Sequence, residues 1–69
     1  MKDATVTFFH YMRKKSIEED IEYKQTLVEL IKPSKDERAK GILEKLRAEI
    51  EEHNKALKEC EAELAKALE

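Results

Sequence analysis

His10, His53 and Cys60 are the only imidazoles and the only thiol in the chain, so metal or nucleophilic chemistry would have to be built on them. A zinc site wants four ligands, and two ligands on one helix are commonly three or four residues apart. His53 and Cys60 are seven apart. A Cys–His nucleophile pair would need an oxyanion-stabilising turn, and the one glycine, Gly41, is remote from both partners. No catalytic residue, no metal site and no cofactor is therefore expected, and the chain reads as a non-enzyme. Cys60 reads as a small buried hydrophobe, and His53 as a polar seam residue of the kind that sets register or oligomer state.

Two stretches have the composition of recognition sites. His10-Tyr11-Met12-Arg13-Lys14-Lys15 sets an aromatic beside three bases, which suits phosphates with a ring available for stacking. Lys32, Lys35, Arg38 and Lys40 make a second basic cluster. Candidate partner- or anion-binding residues are thus His10, Tyr11, Arg13, Lys14, Lys15, Lys35 and Arg38. The bland alternative is pairing with carboxylates of the same chain and solvated turn chemistry. The net charge of −2 argues against bulk attraction to nucleic acid. That charge is unevenly spread: +3 over residues 1–15, −3 over 16–32 and −2 over 33–69.

These residues must be positioned by helices. Pro33 disfavours helix at the residue before it, so a first helix should end near Ile31 or Lys32. Ser34-Lys35-Asp36-Glu37 has the Ser-x-x-Glu form of a capping box, predicting a turn at 33–34 and a second helix over about 35–68. Along that helix Ala39, Leu43, Leu46, Ile50, His53, Leu57, Cys60, Leu64 and Ala67 alternate at spacings of four and three, a coiled-coil stripe. Gly41 lies off the stripe, with no role legible in the sequence.

The first half is open to two assignments. Ser16-Ile17-Glu18-Glu19 is a second capping box, which would start a helix at 17–32 and leave residues 4–12, rich in β-branched and aromatic types, as a strand. Alternatively one helix runs over about 4–32, which would cover the whole length of the second; this assignment is preferred because a shorter helix leaves half the stripe bare. The fold class is then all-α, an antiparallel helical hairpin forming a single domain over residues 1–69.

If the turn lies at 33–34, residue i faces about residue 67 minus i. That register sets Phe8 and Phe9 against residues 58 and 59, beside the small Cys60. It also sets Arg13 to Lys15 against Glu51 and Glu52, and the acidic run from Glu18 to Glu22 against Lys45 and Arg47.

At 69 residues with 43% charged side chains the chain is short of core material, since a typical domain is about 25% charged. One cysteine excludes an internal disulfide. Apolar residues of the first helix span more than one stripe, so a second packing surface is implied: a homodimeric four-helix bundle with Phe9, Leu27, Ile31, Leu43, Leu46, Ile50, His53, Leu57, Cys60 and Leu64 at the oligomer interface. No apolar run approaches the roughly 18 residues of a membrane span, no secretory leader is evident, and a lone thiol suits a reducing compartment; a cytoplasmic protein with no membrane association is expected.

The expected function is a protein-interaction module, a regulator, adaptor or inhibitor of a larger partner. The alternatives are a nucleic-acid-binding dimer using residues 13–15 and 32–40, and a protein that sequesters a small anion between subunits. Protonating a buried His53 should loosen the assembly. Sedimentation should therefore shift toward smaller species between about pH 7.5 and pH 5, and an unchanged profile would count against burial of this side chain.

Overall fold

The computed structural model describes residues 4–68 and consists of two helices, α1 (Ala4–Ile31) and α2 (Glu37–Leu68), packed against each other with opposite chain directions. The hairpin is a rod, 56 × 14 × 11 Å in Cα extent. No strand occurs among the described residues, and no helix is long and apolar enough to cross a membrane.

Residues 4–12 are helical, so the assignment of a strand there, and of a helix beginning at 17, is overturned. Ser16 lies in the middle of a helix and caps nothing. The physical reason is a spacing that the aromatic residues obscure in the sequence. Thr7, His10, Lys14, Ile17, Ile21, Lys24, Val28 and Ile31 recur at alternating intervals of three and four, and all are half-buried or buried. This seam continues without interruption through Ser16, and a helix that packs along its whole length is stabilised mainly by that packing rather than by local propensity. The nine-residue stripe expected on α2 is likewise half-buried or buried throughout, joined at its flank by Glu49 and Ala56.

The helix boundary lies slightly beyond the expected one. α2 begins at Glu37, not at 35, and its N-cap is Asp36 in place of Ser34. The Asp36 carboxylate accepts from the Arg38 backbone N–H at 2.9 Å and the Asp36 carbonyl accepts from the Ala39 N–H at 3.0 Å. Ser34 Oγ instead accepts from the Asp36 N–H at 3.2 Å, steering the chain into the cap. Aspartate is at least as good a cap as serine, and its negative charge suits the helix N-terminus. Arg38 also holds the same carboxylate at 2.8 Å, which keeps the Asp36 carboxyl below its ordinary value and raises that of Arg38. At the other side of the turn the Lys32 N–H still reaches Val28 O at 2.8 Å, and the Ser34 N–H closes on Ile31 O at 3.0 Å.

The longer turn changes the register. Cys60 Sγ donates to the His10 backbone carbonyl at 3.2 Å, which fixes residues 10 and 60 at one level. Extending that level along both seams pairs Thr7 with Leu64, Lys14 with Leu57, Ile17 with His53, Ile21 with Ile50, Lys24 with Leu46, Val28 with Leu43 and Ile31 with Ala39. Residue i thus stands opposite residue 70 or 71 minus i, not 67 minus i. Phe8 and Phe9 do not fill the space beside Cys60, as expected from their size; both are exposed, their rings edge to face at 5.6 Å. The small residues of α2 need no bulky filler because the backbones approach closely enough for a thiol to bond a main-chain carbonyl. Arg13 accordingly meets Glu63 rather than Glu51 and Glu52, and no ion pair joins the acidic run of α1 to Lys45 or Arg47 among the described residues.

The interior is thin: Ile21, Ala39 and Cys60 are the only buried residues among those described. Against so small a core, a single helix-interior glycine matters. A Cβ built on Gly41 would meet nothing within 4 Å, and its φ is not positive. Gly41→Ala should therefore stabilise the hairpin by about 1 kcal/mol, read as a higher midpoint in urea at unchanged slope.

Candidate interaction surfaces

Three sets of side chains stand out once the helices are in place: a polar cluster inside the seam, a second at the open end of the hairpin, and an apolar face turned to solvent.

The first is Lys24, which reaches across from α1 and bonds two residues one turn apart on α2. Its ammonium donates to Glu49 Oε2 at 2.6 Å and to His53 Nε2 at 2.9 Å. The Lys24 side chain is only 22% exposed, because its stem lies along the seam where the spacing would place an apolar residue. An ammonium can only donate, so the contact with His53 is a hydrogen bond in the tautomer that leaves Nε2 unprotonated. The Lys24 hydrogen bond holds the Glu49 carboxyl below its ordinary value of 4.5; burial opposes the shift, and the charges of Lys24, Lys45 and His53 add to it. His53 is thus a polar seam residue, as the sequence suggests, but the partners that satisfy it, Lys24 and Glu49, escape notice there. The recoverable signal is that Lys24 falls on the three-and-four spacing of α1 while Glu49 and His53 are four apart on α2.

The second cluster joins His10, Arg13, Cys60 and Glu63. Glu63 Oε2 lies 3.5 Å from His10 Nδ1 and 3.7 Å from an Arg13 guanidinium nitrogen. Cys60 is fully buried, with its thiol committed to the His10 carbonyl. A thiol enclosed in this way has no path to a substrate. No group of three or more His, Cys, Asp or Glu residues among those described is arranged to hold a metal ion. An open depression at the turn is lined by Ile31, Ser34, Asp36, Arg38, Ala39 and Ile42.

The candidate anion-binding residues do not converge. His10 and Lys14 belong to the seam, Lys14 lying 3.8 Å from Glu18 on its own helix. Tyr11 and Lys15 are exposed on one side of α1 and Arg13 on another, and Lys35 and Arg38 lie at the turn, the opposite end of the rod. Arg38 is engaged by Asp36 and Arg13 by Glu63. Of the residues expected at an oligomer interface, Ile31, Leu43, Leu46, Ile50, His53, Leu57, Cys60 and Leu64 lie on the seam between the two helices of one chain; Leu27 is half-buried at its flank, and Phe9 faces away from it.

What remains open to a partner is the third set. Val6, Phe8, Phe9, Tyr11 and Met12 are 45 to 63% exposed within two turns of α1, and Tyr23 and Leu30 extend the apolar surface toward the turn. So many large apolar side chains exposed in one short stretch are uncommon on a monomeric soluble protein. On α2 only Ile42 and Leu68 are comparably exposed among the described residues, and its outer face is otherwise built of Lys, Glu, Arg and Ala with Gly41 and Asn54. No family model, curated protein or solved structure matches the chain.

The seam cluster makes stability acid-sensitive in a defined sense. A carboxyl held low in the folded chain contributes stability that is present above the ordinary value of 4.5 and is lost as pH falls through its folded value. Lys24→Met removes the cause of that shift at Glu49, leaving the Asp36 contribution untouched. Between about pH 5 and pH 3 the native chain should therefore lose more stability in chemical denaturation than Lys24→Met does.

Proposed function

We propose that this protein is a non-catalytic, self-associating helical module, a short antiparallel coiled coil that acts by docking on another protein through the outer face of α1. The observation that supports this reading is the exposure of Val6, Phe8, Phe9, Tyr11 and Met12 in one short stretch. Phenylalanine, tyrosine and methionine are the types enriched at the cores of protein interfaces, where their burial on association contributes most of the affinity. Exposed Arg13 and Lys15 border the patch and give it a basic rim, which favours a partner with acidic surroundings.

The competing reading, phosphate recognition, is weakened by what the bases already do. Arg13, Lys14 and Arg38 each have a carboxylate of the same chain within 4 Å, and a phosphate would have to displace it. The two basic clusters also sit at opposite ends of a 56 Å rod, so no single short site collects them.

Replacing Tyr11 with a photo-crosslinking aromatic residue, in the host cell, should give a discrete covalent adduct with a second protein. The adduct should disappear when Phe8 and Phe9 are both changed to Ser, with helix content retained in circular dichroism. Single- and double-stranded nucleic acids should show no binding at about 50 mM salt. Binding that falls steeply from there to about 200 mM, or the absence of any protein adduct, would overturn the proposal.

A further inference from the structure

We infer that a stripe along the outer face of α1, through Phe9, Met12, Tyr23 and Leu30, is the homodimer interface: it receives the same stripe of a second copy, laid antiparallel across a two-fold axis near residues 17 and 18, and leaves the exposed Val6, Phe8 and Tyr11, which lie off the stripe, for docking on another protein. The inference rests on reading that face as an interaction surface, and it names the occupant and its orientation.

The face itself is set by spacing. Phe9, Met12, Tyr23 and Leu30 recur on alternating intervals of three and four that pass through Ser16, Glu19 and Thr26, a second stripe parallel to the seam that packs on α2. All four apolar members are exposed. At about 100° per residue the two stripes lie about 150° apart around α1, so the second can be covered without disturbing the first. Of the nine large hydrophobics exposed among the described residues, four lie on this stripe and only two, Ile42 and Leu68, on α2.

Orientation follows from charge. Beside the stripe, Arg13 and Lys15 lie toward the N-terminal end of α1, with Asp20 and Glu22 beyond them, all exposed. Two copies side by side in parallel would set like against like. In the antiparallel arrangement residue i stands opposite about residue 35 minus i. Met12 then packs against the partner's Tyr23, and Ser16 lies level with the partner's Glu19. On the flanks Lys15 faces the partner's Glu22, and the half-exposed Arg13, which lies 3.7 Å from Glu63 of its own chain, also faces the partner's Asp20; two-fold symmetry repeats each pair. The flanks therefore carry four attractive pairs, which fix direction and register more than they add affinity. Because the two stripes lie on nearly opposite sides of α1, the assembly is a row of four helices, with the two α1 helices inside and α2 at each edge, rather than a closed square bundle.

Sedimentation equilibrium of two complementary variants tests this. The Arg13→Glu/Lys15→Glu double variant carries only acids on the flanks, and the Asp20→Lys/Glu22→Lys double variant only bases. The native chain is expected at twice its 8.1 kDa mass at micromolar concentration. Each variant alone should associate at least about tenfold more weakly, and an equimolar mixture should regain the dimer, because every flank pair is then attractive. Recovery in the mixture supports the proposal even where a variant alone loses helix content. A native monomer, a dimer indifferent to both reversals, or a mixture that stays monomeric overturns it. A native monomer that still yields the Tyr11 adduct would overturn the homodimer and leave docking on another protein standing.

Discussion

Two helices touch along one line, so a two-helix chain can withdraw from water only the side chains on one seam of each helix. Everything else in this hairpin is arranged around that limit. The seams are continuous over the length of α1, and each level is filled by one residue from each side. Where α2 supplies small residues, the helices draw together rather than leave a gap for a larger side chain. The fully buried Cys60, bonded to a main-chain carbonyl of the facing helix, records how close that approach is. A narrow interior of this kind yields little hydrophobic stabilisation, because so few side chains are removed from water completely.

The seam is also unusually polar, and that polarity is satisfied. Lys24 on α1 reaches Glu49 and His53 on α2, His10 reaches Glu63, and no buried side-chain nitrogen or oxygen among the described residues lacks a partner. Substituting apolar residues for such a cluster often costs little stability. What a cluster with defined geometry does supply is discrimination between registers: sliding one helix by a turn would leave Lys24 among apolar neighbours and Glu49 without its cation. In a chain whose two seams repeat every seven residues, that discrimination is what keeps the repeat from being satisfied in several ways.

The same limit explains the surface. With the seam side of α1 occupied by Thr7, His10 and Lys14, the aromatic and methionine side chains between them fall on the other sides of the helix. They are exposed as a geometric consequence of the spacing, and the energy of covering them is left available for association. The charges follow a parallel logic. Those near the seam are drawn into pairs within the chain, as at Glu49, Glu63 and Glu18, while Lys15, Glu19, Asp20 and Glu22 remain outside to be read by a partner.

Much of this architecture was legible in the sequence. Pro33 and the strict spacing from Ala39 to Ala67 determine two antiparallel helices and the face of the second that is covered, because helical periodicity projects any three-and-four repeat onto one side. The first helix was not readable in the same way. Its seam mixes Thr7, His10, Lys14 and Lys24 with aliphatic residues, and larger apolar side chains compete for the pattern on the opposite side, so hydrophobicity alone points to the wrong stripe. Only the tertiary structure decided that Phe8 and Phe9 face outward, that Asp36 rather than Ser34 caps α2, and that the register is set near 70. Each of these depends on how closely two backbones approach and on where a long side chain such as Lys24 finds its acceptors. Neither quantity is local to any stretch of the sequence.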